Sequence, residues 1–300
     1  MTNQLKQGLI KKQTLTDAEV TEIEQLAHVC NAYENLSMRI GWIKFRSPYN
    51  SMTNDFLYYE EGALVGYLVL DNHGTKEKEL TGMVHPDHRR KGIFTALFTA
   101  ARQECRLRGV HRLILICEHG SHAGQALIAS LGAKHAFSEH EMILETLHEK
   151  FAFDDRLSFR VAQDSDLDAL VTIMAGEPGE TIEALQVFVI QCFQENDCQI
   201  YIATLGEAGL GCKEPVGCLR LYELPDEIGI YGFVVRPEYR GRGYGRQMLE
   251  ETIRAIQARS QKRIMLEVET ENTNALGLYR SCGFKESRTY GYYAIDLTNR

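Results

Sequence analysis

The stretch Val235–Leu249, "VRPEYRGRGYGRQML", decides how the rest of the chain is read. Arginines stand at 236, 240, 242 and 246 and glycines at 241, 243 and 245, directly before an amphipathic run that predicts a helix. A helix start already presents positive potential through its orphan N–H groups, and it normally recruits Asp, Glu, Ser or Thr. Cations gathered there point to an anionic guest. Gly243 and Gly245 lack Cβ atoms, so backbone N–H groups can approach phosphate oxygens, and Arg240, Arg242 and Arg246 add charge. The loop is not a Walker loop, since no GKS or GKT follows, and it lacks the G-x-G-x-x-G spacing of a dinucleotide fold.

Working outward, the residues before the loop, "EIGIYGFVV", read as a strand. The strand "RIMLEVE", the helix "TNALGLYRSC", the turn Gly283 and a closing strand around "YGYYAIDL" follow it. Upstream lie the strand "LSFRVAQ", a helix capped by Asp164 or Ser165, the helix "TIEALQVFVIQCFQEN" and two further strands. The first half has the same order. It runs from "LIKKQTL" through a helix, a hairpin turned at Glu61–Gly62 and "KELTGMVHP" to "DHRRKG" and a helix. The strand "RLILICE", the helix "SHAGQALIASLG" and a final strand "HEMILETL" complete it. Both halves place a Val-x-Pro step, Val84 to Pro86 and Val235 to Pro237, before a basic glycine loop. Two copies of one α+β unit account for this, with the seam near residues 149–156 and domains at 1–150 and 151–300.

Composition sets the outer bounds. Of the 300 residues, 44% are hydrophobic and 25% charged, so the chain can bury ordinary globular cores. The net charge of −8, of which residues 151–300 carry −7, argues against a nucleic-acid partner. No apolar run reaches the roughly 18–20 residues of a membrane span, and "MTNQLKQGLIKKQ" lacks the apolar core of a secretory signal. The expectation is a cytoplasmic protein with no membrane partner. The eight cysteines, at 30, 105, 117, 192, 198, 212, 218 and 282, show no CxxC pairing and read as reduced core thiols. His119 and His122, with His111, His135 and His140 nearby, have no zinc spacing, so no metal is expected. Trp42 is a candidate for a substrate entry or a segment anchor.

The loop Arg240-Gly241-Arg242-Gly243-Tyr244-Gly245 resembles the R/Q-x-x-G-x-G/A motif of the GNAT superfamily of N-acetyltransferases. A second signature follows in "NTNALGLYRSCGF", with Asn272, Ala275, Leu278, Tyr279, Gly283 and Phe284 in register, and the likeness spans residues 158–297. The resemblance implies an α+β (α/β/α) fold of two tandem GNAT-like domains. Each is a mixed, mostly antiparallel sheet with flanking helices and a splayed central strand pair. It implies acetyl-CoA as co-substrate, with its pyrophosphate on the N–H groups of Arg240 to Gly245, near Asn272 and Ala275. The thioester would lie along Phe233, Val234 and Val235, and the N–H of Val234 or Val235 would polarise its carbonyl.

The implied reaction is direct attack by a primary amine of a small molecule or peptide, with Tyr279 as general acid for the departing thiolate. A core aromatic beside Leu276 and Phe284 is the alternative reading of Tyr279. Glu227, with Glu269 behind it, is the candidate base. The first copy departs from the pattern. Arg89-Arg90-Lys91-Gly92-Ile93-Phe94 puts Phe94 where the motif wants Gly or Ala, with a side chain that can point away from the phosphate, and Ile128 falls opposite Tyr279. Residues 1–150 therefore read as a degenerate copy. A non-catalytic acyl-CoA-binding sensor is the competing function, aminoacyl transfer from tRNA is disfavoured by the acidic second domain, and the chain is expected as a monomer or homodimer.

Overall fold

The computed structural model describes residues 5–40, 52–70, 76–149, 154–175, 181–206 and 214–298. Trp42 and Cys212 lie outside the described residues.

In the first half, β1 (Gly8–Lys12) leads into α1 (Asp17–Glu34), which starts where Thr16 and Glu19 form a capping box and stops at Asn35 in the left-handed region. Strands β2 (Asp55–Glu60) and β3 (Ala63–Leu70) form the expected hairpin, with Glu61 and Gly62 at φ of 52° and 84° in its turn. Then come β4 (Glu77–Val84), α2 (Ile93–Leu107), β5 (Arg112–Glu118), α3 (His122–Leu131) and β6 (Lys134–Leu144).

The second half repeats the plan with β7 (Leu157–Val161), α4 (Leu167–Met174), α5 (Ile182–Gln194), β8 (Cys198–Leu205), β9 (Glu214–Glu223) and β10 (Glu227–Val235). It ends with α6 (Tyr244–Gln257), β11 (Arg263–Glu269), α7 (Thr273–Cys282) and β12 (Phe284–Asp296). One helix start differs from expectation. Residues 164–166 form a tight 3-10 turn, and α4 begins at Leu167 behind Asp166. Asp166 is already engaged there, accepting from Gln163 N and from both terminal nitrogens of Arg160.

Two compact units result, and they do not follow chain order. One comprises residues 1–139 and 288–300, the other residues 140–287. In the first unit the strand order is β1-β2-β3-β4-β5-β12, with Tyr290–Asp296 antiparallel to Glu118–Arg112. In the second it is β6-β11-β10-β9-β8-β7. The sheet of each unit is thus closed by a strand encoded in the other half of the sequence. Strands β4/β5 in the first sheet and β10/β11 in the second run parallel.

The cores follow from the helix patterns. In the second unit, α6 turns Leu249, Ile253 and Ile256 onto Ile228, Ile230, Ile264 and Leu266, all buried. Each such aliphatic side chain contributes about 1.5–3 kcal/mol over its exposed state. In the first unit, α2 does the same with Leu97 and Ala101 against Leu68, Leu80 and Leu113. Gly283 ends α7 at φ +103°, and a Cβ there would fall 1.8 Å from the Thr146 carbonyl oxygen. The segment after β6 is hydrogen-bonded to this helix end through Glu145 N to Gly283 O and His148 N to Cys282 O.

Candidate active site

The second unit's site begins where β10 and β11 part. They are in parallel register from Glu227 opposite Arg263 to Ile230 opposite Leu266. Past that point β10 continues to Val235 and β11 to Glu269 without pairing, which leaves a cleft between their C-terminal halves. On its other edge β10 carries a bulge. Tyr231 faces Arg220, but the next pair is Val234 with Cys218, and Gly232 between them has φ +54°.

Arg236 N–H donates to Val216 O at 2.9 Å, across to β9. Neighbouring residues of a strand point their N–H and C=O groups to opposite sides, so Val235 turns its own pair toward the cleft. Arg240 Nε confirms that direction by donating to Val235 O at 2.7 Å. Phe233, Val234 and Val235 are all half-buried along this edge.

The basic loop closes the end of the cleft. Pro237–Tyr239 make a 3-10 turn, Gly241 has φ +75°, and Gly243 caps α6 at φ +88° with no side chain bonded to the helix N–H groups. Arg240, Gly241, Arg242 and Gly243 are exposed. Four orphan donors at an uncapped start, with two exposed guanidinium groups beside them, make this end of the cleft electropositive. Gly245 faces the cleft: a Cβ there would meet Leu278 and Val235 at 3.5 Å and Phe233 at 3.8 Å, so any larger group would enter the space between them.

The remaining motif residues have structural partners. Arg246 bonds to Glu250, to Ser281 Oγ and O, and to His148 O, which fastens α6 to α7. The Tyr244 side chain is buried with its hydroxyl on Asp154, leaving only its backbone toward the loop. Asn272 caps α7 by accepting from Ala275 N at 3.1 Å. Tyr279, on the cleft-facing turn of α7, is 7% exposed, with ring centres 6.3 Å from Phe233 and 6.2 Å from Phe284. Burial, with a smaller contribution from the nearby Cys282, pushes its phenol up to about 12.

The two carboxylate candidates separate. Glu227 lies at the closed end of the strand pair, held by Arg263 in an ion pair, one side of which is Nε to Oε2 at 3.2 Å. Val234 lies seven steps further along the strand, roughly 23 Å at 3.3 Å per residue. Glu269 is exposed at the open end of β11, where its carbonyl accepts from Asn272 N.

The first unit repeats the frame with altered fittings. Strands β4 and β5 pair only from Glu77 opposite Arg112 to Leu80 opposite Leu115, then part. Arg89 Nε donates to Val84 O at 3.2 Å, as Arg240 does to Val235 O, and Gly92 caps α2 at φ +81°. The ladder between β3 and β4 has no bulge. The expected freedom of Phe94 to turn away is not used. Its ring lies over β4, with Cε2 3.0 Å from where a Gly82 Cβ would stand, and it stacks on Phe98. An apolar core on that side draws the ring inward. A cavity of about 70 Å³ remains, lined by Phe94, Gly82, Cys117, Glu118, Ile128 and Tyr290.

Sequence reasoning missed the bulge. Its signal was available: eight residues run from Ile230 to Pro237, against seven from Leu80 to Pro86. Among the described residues no cluster of His, Cys, Asp and Glu is arranged to hold a metal ion, and no helix is long and apolar enough to cross a membrane.

Comparison with known proteins fits this geometry. The GNAT acetyltransferase family model matches residues 19–133 and again residues 167–284. A mycothiol acetyltransferase of Thermomonospora curvata is 26% identical over 325 aligned positions, covering 97% of this chain and 97% of that protein. A ribosomal protein bS18-alanine N-acetyltransferase of Salmonella typhimurium is 37% identical over 62 residues, 21% of this chain and 42% of that one. The solved GCN5-related N-acetyltransferase from Sphaerobacter thermophilus is similar with a TM-score of 0.79 at 18% identity, covering 98% of this chain and 97% of its own. A tandem GNAT protein from the clavulanic acid biosynthesis pathway gives 0.75 at 16% identity, covering 97% and 99%. The two structures establish likeness of fold. With one family match in each copy, the chain belongs to the GNAT acetyltransferase family, as a tandem N-acetyltransferase.

Proposed function

We propose that the second unit binds acetyl-CoA between β10 and β11 and transfers the acetyl group to a primary amine of a small molecule or peptide. The observation that carries this reading is the open cleft beside the uncapped start of α6, with no side chain at Gly245 to fill it. Acetyl-CoA, when bound, supplies an activated thioester. The N–H groups at the loop and the first turn of α6 receive its pyrophosphate, with Arg240 and Arg242 adjacent. Val235 N–H donates to the acyl oxygen, where negative charge develops during attack. Tyr279 holds a proton at Oη for the leaving sulfur, and its burial keeps the phenol protonated throughout the neutral range.

No carboxylate base is required when the amine arrives neutral. We read Glu227 as an ion pair that closes the strand end with Arg263, and Glu269 as the acid nearest the open end. Similarity along nearly the whole chain to mycothiol acetyltransferases favours a small-molecule acceptor.

The test is thiol release from acetyl-CoA across a panel of amines. Tyr279→Phe should lower kcat by about 100-fold or more while the acetyl-CoA Kd stays within about twofold. Unchanged turnover would remove Tyr279 from the mechanism.

A further inference from the structure

Cys192 lies in the last turn of α5 and Cys198 opens β8. The connection between them folds back on itself through two turns, Glu195 N to Cys192 O and Cys198 N to Glu195 O, both at 3.4 Å. Both thiols are buried in one cluster with Val189, Ile200 and Cys218, at the two ends of this short connection. Their cover is thin, because Gln194, Glu195, Asn196 and Asp197 are all exposed.

A cation is fixed beside the pair. Arg220 from β9 places Nη1 3.9 Å from Cys192 Sγ. Its guanidinium is held by the rings of Phe188 at 4.6 Å and Tyr222 at 5.3 Å. The other charged group facing the pair is Glu195, which accepts from Tyr222 Oη and opposes the thiolate. The neighbouring Cys198 and the charge of Arg220 prevail, and they draw the Cys192 thiol below its ordinary range. Cys198 is moved the other way, first by Cys192 beside it and then by burial, and burial raises the other five described cysteines. Cys30, Cys105 and Cys117 are pushed up to about 11 and Cys218 to about 12, and Cys282 is also raised.

We propose that Cys192 and Cys198 form a reversible thiol–disulfide pair whose oxidant is a peroxide and whose nucleophile is Cys192. The Cys192 thiolate attacks one peroxide oxygen, an S–O bond forms, the O–O bond breaks, and the departing hydroxide takes up a proton as water. The Cys198 sulfur then attacks Cys192 Sγ. Hydroxide leaves with the Cys198 proton as a second water, and the S–S bond closes. Two thiols are oxidised by two electrons, and one hydrogen peroxide is reduced to two waters. Low-pKa thiols with a resolving partner follow this route.

The experiment treats the full chain with one equivalent of hydrogen peroxide, blocks the remaining thiols under denaturing conditions, and digests after glutamate. Cleavage after Glu195 separates the two cysteines. The expected product is one linked peptide pair, Cys192–Cys198, converted by dithiothreitol to two free peptides. Cys198→Ser should instead trap a sulfenic acid on Cys192 that reacts with dimedone, and it should leave a chain that folds and shows no linkage. Arg220→Gln should slow oxidation of Cys192 by about tenfold and raise the midpoint of its alkylation pH profile toward the ordinary thiol value of about 8.5. Both thiols remaining free, or another cysteine oxidising first, overturns the proposal. An unmoved alkylation midpoint in Arg220→Gln overturns the part given to Arg220.

Discussion

Gly283→Ala tests the packing that holds Tyr279 in place, and the first unit supplies its control in Gly132→Ala. Both glycines end equivalent helices in the left-handed region, Gly283 at φ +103° and Gly132 at +63°. An L-residue in that region costs about 1–2 kcal/mol. At Gly132 nothing lies within 4 Å of the added Cβ, so the backbone cost is the whole effect. At Gly283 the Cβ would stand 1.8 Å from Thr146 O and 2.9 Å from Thr146 C, both backbone atoms. The segment must move away, which releases the bonds from Glu145 N and His148 N, each worth about 1 kcal/mol net. The total is about 3–4 kcal/mol for Gly283→Ala against about 1–2 for Gly132→Ala. Urea unfolding followed by fluorescence, with each variant against the parent chain, measures the difference. At about 2–4 °C per kcal/mol for a unit of this size, the melting transition should fall by about 10 °C in the first variant. Equal costs at the two sites would refute the steric reasoning.

Gly245→Phe reproduces in the second unit what Phe94 does in the first. It should weaken acetyl-CoA binding by about 100-fold, or about 2.7 kcal/mol, with little change in melting temperature, as read by calorimetric titration. Glu227→Gln should leave kcat within about twofold and cost less than about 1 kcal/mol of stability, since it loosens a partly exposed ion pair far from the cleft. The pH dependence of kcat should show no descending limb up to about pH 10, where an ordinary tyrosine would be half ionised, because the Tyr279 phenol stays protonated until about 12. The same raised value adds stability that is complete below the unfolded tyrosine pKa and is lost as pH rises through the folded one. Tyr279→Phe should therefore flatten alkaline unfolding between about pH 10 and 12.

The repeat, the basic loop and both helix ends were legible because they rest on local chemistry. Glycines at 243 and 283 and the apolar spacing of α6 act within a few residues of themselves. The closing strands were not legible. Around "HEMIL" and "YGYYAIDL" the alternation suits either sheet, so the sequence cannot say that Tyr290–Asp296 pairs with β5. The position of Glu227 shows a different limit. The alternation of a strand says which face a residue takes, but it carries no information about which end of the pair opens. The register did, by stopping at Ile230 and Leu266. Phe94 was visible as a departure from the motif, and only its stacking on Phe98 and its place over Gly82 show that the ring turns inward.

The central claim is one acetyl-CoA site per chain, in the second unit. Isothermal titration of the full chain with acetyl-CoA tests it most directly, run beside Gly245→Phe. The expected result is saturating heat at a stoichiometry of one, with the affinity lowered about 100-fold by Gly245→Phe. A stoichiometry of zero would contradict the cofactor reading itself. A stoichiometry of two, or a single site whose affinity Gly245→Phe leaves unchanged, would contradict its placement between β10 and β11.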